Sequence, residues 1–309
     1  PGIVLHKINK ISNYDPFIVW KLCQLIRRIK PDILQSWIMQ IDILGGIAAR
    51  ICGVPWVFRE ASSAKAYSNK WKHRLRVQIA SGASAIVSNS LGGDDYWKNK
   101  LPQSKRYIIS NGLPMQEIEM ADANTQFEFE NSEVPIVLYS GRMIESKKVN
   151  NILEVLASIR QQKKVFGVLC GDGPQKNKME TLSHEMGLDE TVFFTGYLSS
   201  SLVWSLMKKA SVFVSLSAFE GCPNTIMEAM ACGCPLIVSD ISAHREILDE
   251  SCAYFVDPIN VQQVADTIFH LLDEKDDSKK RAHVEQKKAK GWTISEMARK
   301  YESIYMELI

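Results

Sequence analysis

Short apolar runs alternate with segments of helical periodicity along the whole chain of 309 residues. This alternation predicts parallel β-sheets that are covered by helices. In the first part of the chain, the apolar runs predict strands at 32–36, 55–58, 85–88 and 107–110, with helices near 16–29, 40–52, 70–81 and 92–101. Six further runs predict strands at 135–140, 165–169, 192–195, 212–215, 236–238 and 254–256. The fold class is therefore α/β, with two Rossmann-like, doubly wound domains that face a cleft.

The periodic pattern breaks between the two series of strands. Residues 115–133 are rich in Glu, Asn, Asp and Gln and follow a turn at 111–114. This composition predicts a connection between domains. We therefore predict domains at 1–115 and 135–290, joined by a linker at 116–134, and a last segment at 291–309 whose helix packs on either domain.

Composition narrows the classes of function. The chain has seven cysteines and six histidines, without a Cys-x-x-Cys pair or zinc-finger spacing, so we expect reduced thiols, a cytoplasmic protein and no metal site. No apolar run approaches the roughly 20 residues that cross a bilayer. Residues 1–115 hold 17 basic and 6 acidic residues, a net charge of +11, whereas the rest of the chain carries −9. The first half therefore favours an anionic partner, with no indication of nucleic acid.

The most informative stretch runs from Ser217 to Asp240 and contains Glu220 and Glu228. Pro223 suits a helix entry, and Asn224 is predicted as the N-cap of the helix that follows. The open N–H groups at this helix start would face an anion, and Glu228 would offer acceptor oxygens to hydroxyl groups. The alternative is an ordinary helix with two solvated acids.

Two more strand ends carry candidate binding groups. Arg142 and Lys147 follow the first strand of the second series, where a guanidinium and an ammonium could share one diphosphate. The alternative for this pair is a surface ion pair. Gly171 and Gly173 lie in a tight turn after the next strand, where glycine permits close backbone approach.

The stretch from Ser217 to Asp240 resembles the C-terminal signature of glycosyltransferase family 4, retaining enzymes with the two-domain GT-B fold. In that family the first glutamate contacts the donor sugar and the second binds the nucleotide ribose. Glu220 and Glu228 match those positions. The resemblance also implies that the C-terminal helix returns to the N-terminal domain.

The loop after the first strand of the second domain is similar to the family element whose Arg and Lys bind the donor diphosphate. Arg142 and Lys147 match them, although Lys148 stands where the family has glycine. With Glu220, these two residues are the predicted catalytic set. The segment at 195–198 resembles the family segment near the base, which implicates Tyr197. The predicted donor-binding residues are Glu228, Gly221, Asn224, Thr225, Gly171, Gly173 and Tyr197.

The N-terminal half departs from the family in two ways. Many members have a histidine where this chain has Arg59 and Glu60, so we predict acceptor-side roles for these two and for Asn89 and Ser90 after the next strand. Members also begin with a strand and a glycine-rich loop near the donor phosphate, which the residues before Ile3 do not supply. We therefore expect an incomplete first domain, and a chain that binds nucleotide but transfers sugar slowly or not at all.

The resemblance implies a retaining glycosyltransferase of the hexosyltransferase type. It would move a sugar from a nucleotide diphosphate sugar to a glycan or lipid-linked acceptor in polysaccharide or glycoconjugate synthesis, without a metal or other cofactor. Two alternatives remain open: a nucleotide-sugar epimerase of the same architecture, and a non-catalytic relative that binds a sugar nucleotide.

Two predicted helices of the first half combine tryptophan with basic residues. They carry Trp20, Lys21, Arg27, Arg28 and Lys30, and Lys70, Trp71, Lys72, Arg74 and Arg76. Such surfaces are typical of proteins that meet anionic lipid, here at the inner face of the membrane. The alternative is that these are solvated helix faces that balance the acidic second domain.

Overall fold

The structure is a computed structural model and describes residues 2–8, 12, 15–62, 71–127 and 134–309. The chain divides into two compact units. The first comprises Pro1–Ser110 with Met297–Ile309, and the second comprises Asn111–Glu296. No helix in the described part of the chain is both long and apolar enough to cross a membrane.

The first unit has a four-stranded parallel sheet in the order β1-β2-β3-β4. Its strands are β1 (Leu34–Ser36), β2 (Trp56–Glu60), β3 (Ala85–Ser88) and β4 (Arg106–Ile108). Its helices are α1 (Phe17–Ile29), α2 (Met39–Cys52), α3 (Trp71–Ala80) and α4 (Leu91–Lys100). Each predicted strand and helix of this half is therefore present, with shifts of a few residues at the ends.

Alternate residues of β2 build two cores. Trp56 and Phe58 are buried on one face with Trp97. Val57 lies on the other face, where Tyr301 and Ile304 pack beside it. These last two belong to α13 (Ile294–Leu308), whose residues from Met297 onward form part of this unit.

A buried ion triad lies between α2, β2 and α3. Arg76 donates from Nε to Asp42 Oδ2 at 3.0 Å and from Nη1 to Glu60 Oε2 at 3.0 Å. The guanidinium also lies 4.7 Å from the centre of the Phe58 ring. Trp97 donates its indole N–H to Glu60 Oε2 at 2.9 Å. The prediction that Arg76 belongs to an exposed basic face is therefore wrong, because two buried carboxylates hold it inside the unit.

The second unit has a six-stranded parallel sheet in the order β10-β9-β8-β5-β6-β7. Its strands are β5 (Ile136–Ser140), β6 (Phe166–Cys170), β7 (Val192–Gly196), β8 (Val212–Ser215), β9 (Leu236–Ser239) and β10 (Ala253–Val256). Its helices are α5 (Met115–Met120), α6 (Val149–Ile159), α7 (Lys176–Glu185), α8 (Ser200–Lys209), α9 (Asn224–Cys232), α10 (Ser242–Arg245), α11 (Val261–Asp273) and α12 (Lys275–Ala289). Strands β6 and β7 lie on one side of β5, and the later strands β8, β9 and β10 lie on its other side. The strand order therefore reverses between β5 and β8, which is where ligands of such sheets bind.

The predicted linker differs from the structure in its first part. Residues 115–120 form α5, and Ile118 is buried in the core of the second unit. Lys208 donates to the carbonyl oxygens of Glu119 at 2.9 Å and Ala121 at 2.7 Å. Because α5 has only six residues and buries only Ile118, its sequence shows little of the apolar periodicity that predicts a helix. Residues 128–133 of the predicted linker lie outside the described residues.

Glu285 is fully buried on α12, and no described residue bonds to either carboxylate oxygen. Burial raises its pKa well above the usual range, and Arg281 and Lys288 only partly oppose the rise. A raised carboxyl pKa gives stability that is complete at acidic pH and is lost as the pH rises. We expect Glu285→Met to stabilise the second unit by about 1–3 kcal/mol near pH 8, because it removes an unsatisfied polar group. The gain should shrink toward pH 5.

Thermal unfolding at several pH values measures this effect. Glu274→Met is the matched control, since Glu274 is exposed at the start of the same helix and should change stability by no more than about 0.5 kcal/mol. A Glu285→Met variant less stable than the native chain at pH 8 would contradict the prediction.

Candidate functional site

The loops after β5 and β8 meet at the point where the strand order reverses. The backbone N–H of Ala218 donates to the carbonyl of Ser146 at 2.8 Å. Lys147, at the end of a 3-10 turn at Glu145–Lys147, donates from Nζ to Glu220 Oε1. The structure therefore brings together two of the three predicted catalytic residues, from loops that are 73 residues apart in the sequence.

Glu220 is held from one side. Ser217 donates its hydroxyl to Glu220 Oε1 at 2.7 Å, and Lys147 donates to the same oxygen. Within the described part of the chain, Oε2 receives no hydrogen bond. The side chain is 13% exposed, so this second oxygen remains available to a hydroxyl group.

Tyr139 supports the Gly141–Arg142 turn from beneath. It is buried at the end of β5 and donates its hydroxyl to the carbonyl of Arg142 at 3.2 Å. Burial raises the pKa of Tyr139 well above its usual range, and nearby Glu220 raises it further. The Arg142 side chain itself is exposed and makes no ion pair with any residue that the structure describes. Its guanidinium is therefore open to an anion.

Lys148 has a different role from its neighbour. Its backbone lies in the left-handed region at φ 51°, where it precedes α6. Glycine adopts this conformation without strain, which explains why the similar family element has glycine here. Lys147 reaches Glu220, whereas Lys148 shapes the chain reversal.

The start of α9 differs from the prediction by one position. Pro223 occupies the N-cap and Asn224 is the first helical residue, without a capping hydrogen bond from its side chain. A residue inside the first turn does not cap its own helix. Instead, Asn224 Oδ1 accepts from Asn111 Nδ2 at 2.6 Å. The Thr225 N–H has no acceptor among the residues described, so the helix start presents an open donor.

A cavity of about 670 Å³ lies at the carboxyl ends of β5, β6 and β7. It is lined by Ser140, Gly141, Arg142, Cys170, Gly171, Asp172, Gly173, Pro174, Tyr197, Leu198, Ser200, Val203 and Glu228. This size is typical of small-molecule sites. The cavity brings together five of the predicted site residues, which are Arg142, Gly171, Gly173, Tyr197 and Glu228. Its lining does not include Lys147, Glu220, Gly221, Asn224 or Thr225.

Glu228 and Tyr197 lie in different surroundings within this cavity. Glu228 is half-buried, and burial raises its pKa while the neighbouring Trp204 indole opposes the rise. A carboxylate in such a position gains from hydroxyl groups that donate to it. Tyr197 is 84% exposed at the rim and leaves a free ring face for a planar ligand.

The two turn glycines are required by close backbone packing. Gly171 and Gly173 have φ values of 131° and 156°, in the region that favours glycine. A Cβ on Gly171 would overlap the carbonyl oxygen of Gly141, and one on Gly173 would lie 2.5 Å from that of Met143. The Met143 N–H also donates to the carbonyl of Asp172 at 2.8 Å. The turn after β6 therefore fixes the loop that carries Arg142.

The predicted acceptor-side residues are largely occupied within the first unit. Glu60 is 1% exposed and belongs to the ion triad, and Ser90 caps α4 by accepting from the Gly93 N–H at 3.2 Å. Arg59 donates to the Tyr301 hydroxyl at 3.0 Å and is buried. Asn89 is also buried and donates weakly to the carbonyl of Ala61 at 3.4 Å. The polar atoms of Glu60 and Ser90 are thus used inside the fold, and the acceptor-side roles of the four residues stay predictions.

Sequence reasoning missed several residues that surround Glu220. They are Tyr139, Ser217, Ser239 and His244. Ser217 opens the glutamate-containing stretch, so its spacing of three residues before Glu220 was an available signal. The contributions of Ser239 and His244 depend on the pairing of β8 with β9 and have no local signal.

Comparisons with known proteins agree with this architecture. A family model described as "Glycosyl transferases group 1" matches residues 121–291, more than half of the chain. The O-antigen biosynthesis glycosyltransferase WclY of Escherichia coli is 29% identical over 228 residues, which cover 72% of this chain and 61% of that protein. The α-D-kanosaminyltransferase of Streptomyces kanamyceticus is 26% identical over 247 residues, with coverage of 74% and 64%. The chain thus spans less than two thirds of the length of these relatives.

Solved structures share the fold. HepE of Anabaena, in complex with UDP and glucose, has a TM-score of 0.83 at 19% identity and covers 97% of this chain and 84% of its own. Sucrose-phosphate synthase of Thermosynechococcus elongatus has a TM-score of 0.84 at 19% identity, with coverage of 95% and 77%. The two parallel α/β sheets match those of such GT-B glycosyltransferases, and by the family match the chain belongs to the glycosyl transferases group 1.

Proposed function

We propose that this chain is a retaining glycosyltransferase of family 4 that takes a sugar from a nucleotide diphosphate sugar. The observation that carries the proposal is that the Lys147–Glu220 pair joins the two segments that bring Arg142 and Glu228 to the cavity. One arrangement thus offers cations for a diphosphate and carboxylates for two sets of hydroxyl groups.

Each group has a role that its position supports. Glu228, half-buried in the cavity, accepts from the ribose hydroxyls, and the rim residue Tyr197 lies against the base. Arg142, Lys147 and the open N–H of Thr225 stabilise charge on the diphosphate as the bond from the sugar to its phosphate oxygen breaks. Glu220 accepts from the sugar hydroxyls through Oε2. The acceptor oxygen then forms the new bond on the same face of the sugar, as the family resemblance implies, and its proton passes to the departing diphosphate.

The proposed acceptor is a glycan or a lipid-linked glycan in polysaccharide or glycoconjugate synthesis, at the cytoplasmic face of the membrane. The relatives named above are consistent with this class: WclY acts in O-antigen biosynthesis. Another E. coli relative, 22% identical, is named as a galactosyltransferase that acts on a diphosphoundecaprenol-linked sugar.

A thermal-shift screen with UDP-, GDP- and ADP-sugars tests the proposal. A ligand at 100 times its dissociation constant should stabilise the second unit by about 2.7 kcal/mol. Product analysis with and without an acceptor then separates transfer from epimerisation and from binding alone. The proposal is wrong if no sugar nucleotide stabilises the chain.

Replacing Glu228 by alanine should weaken nucleotide binding by about 1.5–3 kcal/mol, because charge-assisted bonds to the ribose hydroxyls are lost. Titration calorimetry with the nucleoside diphosphate measures the change. Glu154→Ala is a control on α6, since Glu154 is only partly buried, lies outside the cavity and forms no ion pair with any residue that the structure describes. Equal affinities for Glu228→Ala and the native chain would remove the ribose assignment.

We also propose an anionic lipid surface as a partner of the first unit. On α1, Trp20 is 57% exposed and Arg27 and Arg28 are exposed beside it. On α3, Trp71 and Arg74 are exposed, whereas Arg76 is buried and Lys70 lies outside the described residues. The candidate surface is therefore smaller than the sequence indicated.

Binding to anionic vesicles should fall steeply with salt, because each basic residue near the surface contributes about 1 kcal/mol through a screened interaction. Co-sedimentation at low and high salt measures this. Trp20→Ser with Arg27→Gln should weaken binding, whereas Lys98→Gln on α4 should not. Absence of binding at low salt would favour a soluble acceptor.

A further inference from the structure

We propose that Ser217, Ser239 and His244 are positioning residues that fix the carboxylate of Glu220. This inference rests on the proposed function, in which Glu220 contacts the donor sugar. It assigns a task to three buried polar side chains that otherwise have none in that function.

Three hydrogen bonds, two of them to backbone carbonyls, link these residues into one column that ends at Glu220. His244 Nδ1 lies 2.7 Å from the carbonyl oxygen of Ser239. The Ser239 hydroxyl donates to the carbonyl of Ser217 at 2.6 Å, and the Ser217 hydroxyl donates to Glu220 Oε1 at 2.7 Å. All three residues of the column are fully buried. The column therefore joins α10 and β9 to the loop after β8 in the interior of the second unit.

The first bond of the column fixes the tautomer of His244. A carbonyl oxygen accepts hydrogen bonds and does not donate, so Nδ1 must carry the hydrogen. Nε2 then holds a lone pair, and it has no partner among the residues that the structure describes. A second proton would be buried on Nε2 without an acceptor, which is costly.

The surroundings of His244 support the neutral form. Burial lowers the pKa of His244 to about 4, and Lys147 adds to the decrease. The bond to Ser239 and the charges of Glu220 and Asp240 oppose it. His244 therefore stays neutral near pH 7 and donates only from Nδ1.

The position of the Glu220 carboxylate depends on Ser217 because its other hydrogen-bond partner, Lys147, is also proposed to bind the diphosphate. Lys147 donates to Oε1 of Glu220, but its ammonium is also the cation proposed for the diphosphate. When Lys147 turns toward phosphate, Ser217 remains as the protein donor to Glu220. The hydroxyl of a buried serine whose backbone is held by the column loses little freedom in this task, unlike a long lysine side chain.

The first experiment needs no ligand. Nitrogen-15 NMR of the imidazole side chains, with His244 assigned from the His244→Asn variant, should show a neutral Nδ1–H tautomer from pH 5.5 to 8. An Nε2–H tautomer, or titration near pH 6.5, would overturn the column.

The second experiment measures the consequence for Glu220. Release of nucleoside diphosphate from UDP-glucose, GDP-mannose and ADP-glucose identifies a donor that the native chain turns over. Ser217→Ala should then lower kcat about tenfold or more, with the dissociation constant of the nucleoside diphosphate unchanged within about twofold. Ser183→Ala is the matched control, since Ser183 is also buried, lies on α7 and does not line the cavity.

Conservative replacement separates positioning from simple folding support. His244→Asn keeps an N–H donor near the Nδ1 position and should retain most of kcat, whereas His244→Leu removes the donor and should match Ser217→Ala. Parallel losses of kcat, nucleotide affinity and thermal stability in Ser217→Ala would show a merely structural role and overturn the proposal. If no sugar nucleotide stabilises the native chain, the proposed function fails, and the NMR result still decides whether the column exists.

Discussion

Replacing Arg76 by methionine is expected to destabilise the first unit by about 3–5 kcal/mol. The guanidinium neutralises Asp42 and Glu60, whose side chains are each 1% exposed. Without it, two carboxylates would remain buried and close together, and removal of one partner from a buried ion group carries a cost of this size. Chemical denaturation followed by tryptophan fluorescence measures the loss, because Trp56 and Trp97 lie in the same core.

Two comparisons isolate the buried charge in this experiment. Arg74→Met removes the same side chain from an exposed position on α3 and should change stability by no more than about 0.5 kcal/mol. The effect of Arg76→Met should also depend on pH. Burial already raises the pKa of Asp42, and removal of the cation raises it further, so the variant should lose more stability at pH 8 than at pH 5. Equal stability of Arg76→Met and Arg74→Met would show that the triad contributes nothing.

Arg76 also illustrates why sequence reasoning misjudged the basic helix α3. Its partners Asp42 and Glu60 lie 34 and 16 residues away in the chain, so no local pattern joins them. A charged residue on a helix is usually exposed to solvent, and it is buried only where the fold supplies buried groups of opposite charge. By contrast, the strands were predictable, because buried parallel strands need short apolar runs whatever their neighbours are.

The site was predictable to the extent that it is local. Glu220 and Glu228 lie in one loop and helix, where glycine, proline and spacing restrict the geometry. The hydrogen bonds of Ser239 and His244 were not predictable, because they depend on which strands become neighbours. Likewise, α5 was hidden in a polar segment because one buried residue, Ile118, supplies most of its packing.

Replacing Lys147 by methionine should lower kcat for sugar transfer by about 10²–10³. The ammonium is proposed to stabilise charge on the departing diphosphate, and loss of one such group from an enclosed site costs about 3–4 kcal/mol of transition-state stabilisation. The same change leaves Glu220 without its cation. Single-turnover kinetics with the donor found in the thermal-shift screen measure the chemical step, and nucleoside diphosphate binding should weaken while binding of the bare nucleoside stays constant.

Lys148→Met is the matched control for Lys147→Met, because it removes an identical side chain one residue further along. Lys148 occupies the left-handed position before α6, and Met tolerates that position about as well as Lys. Its kcat should therefore remain near that of the native chain. If Lys148→Met instead lowered kcat more than Lys147→Met, the diphosphate role would be assigned to Lys148. Strict dependence of transfer on added Mg²⁺ or Mn²⁺ would argue against the clamp itself, since Arg142 and Lys147 are proposed to supply the positive charge that a metal ion would otherwise provide.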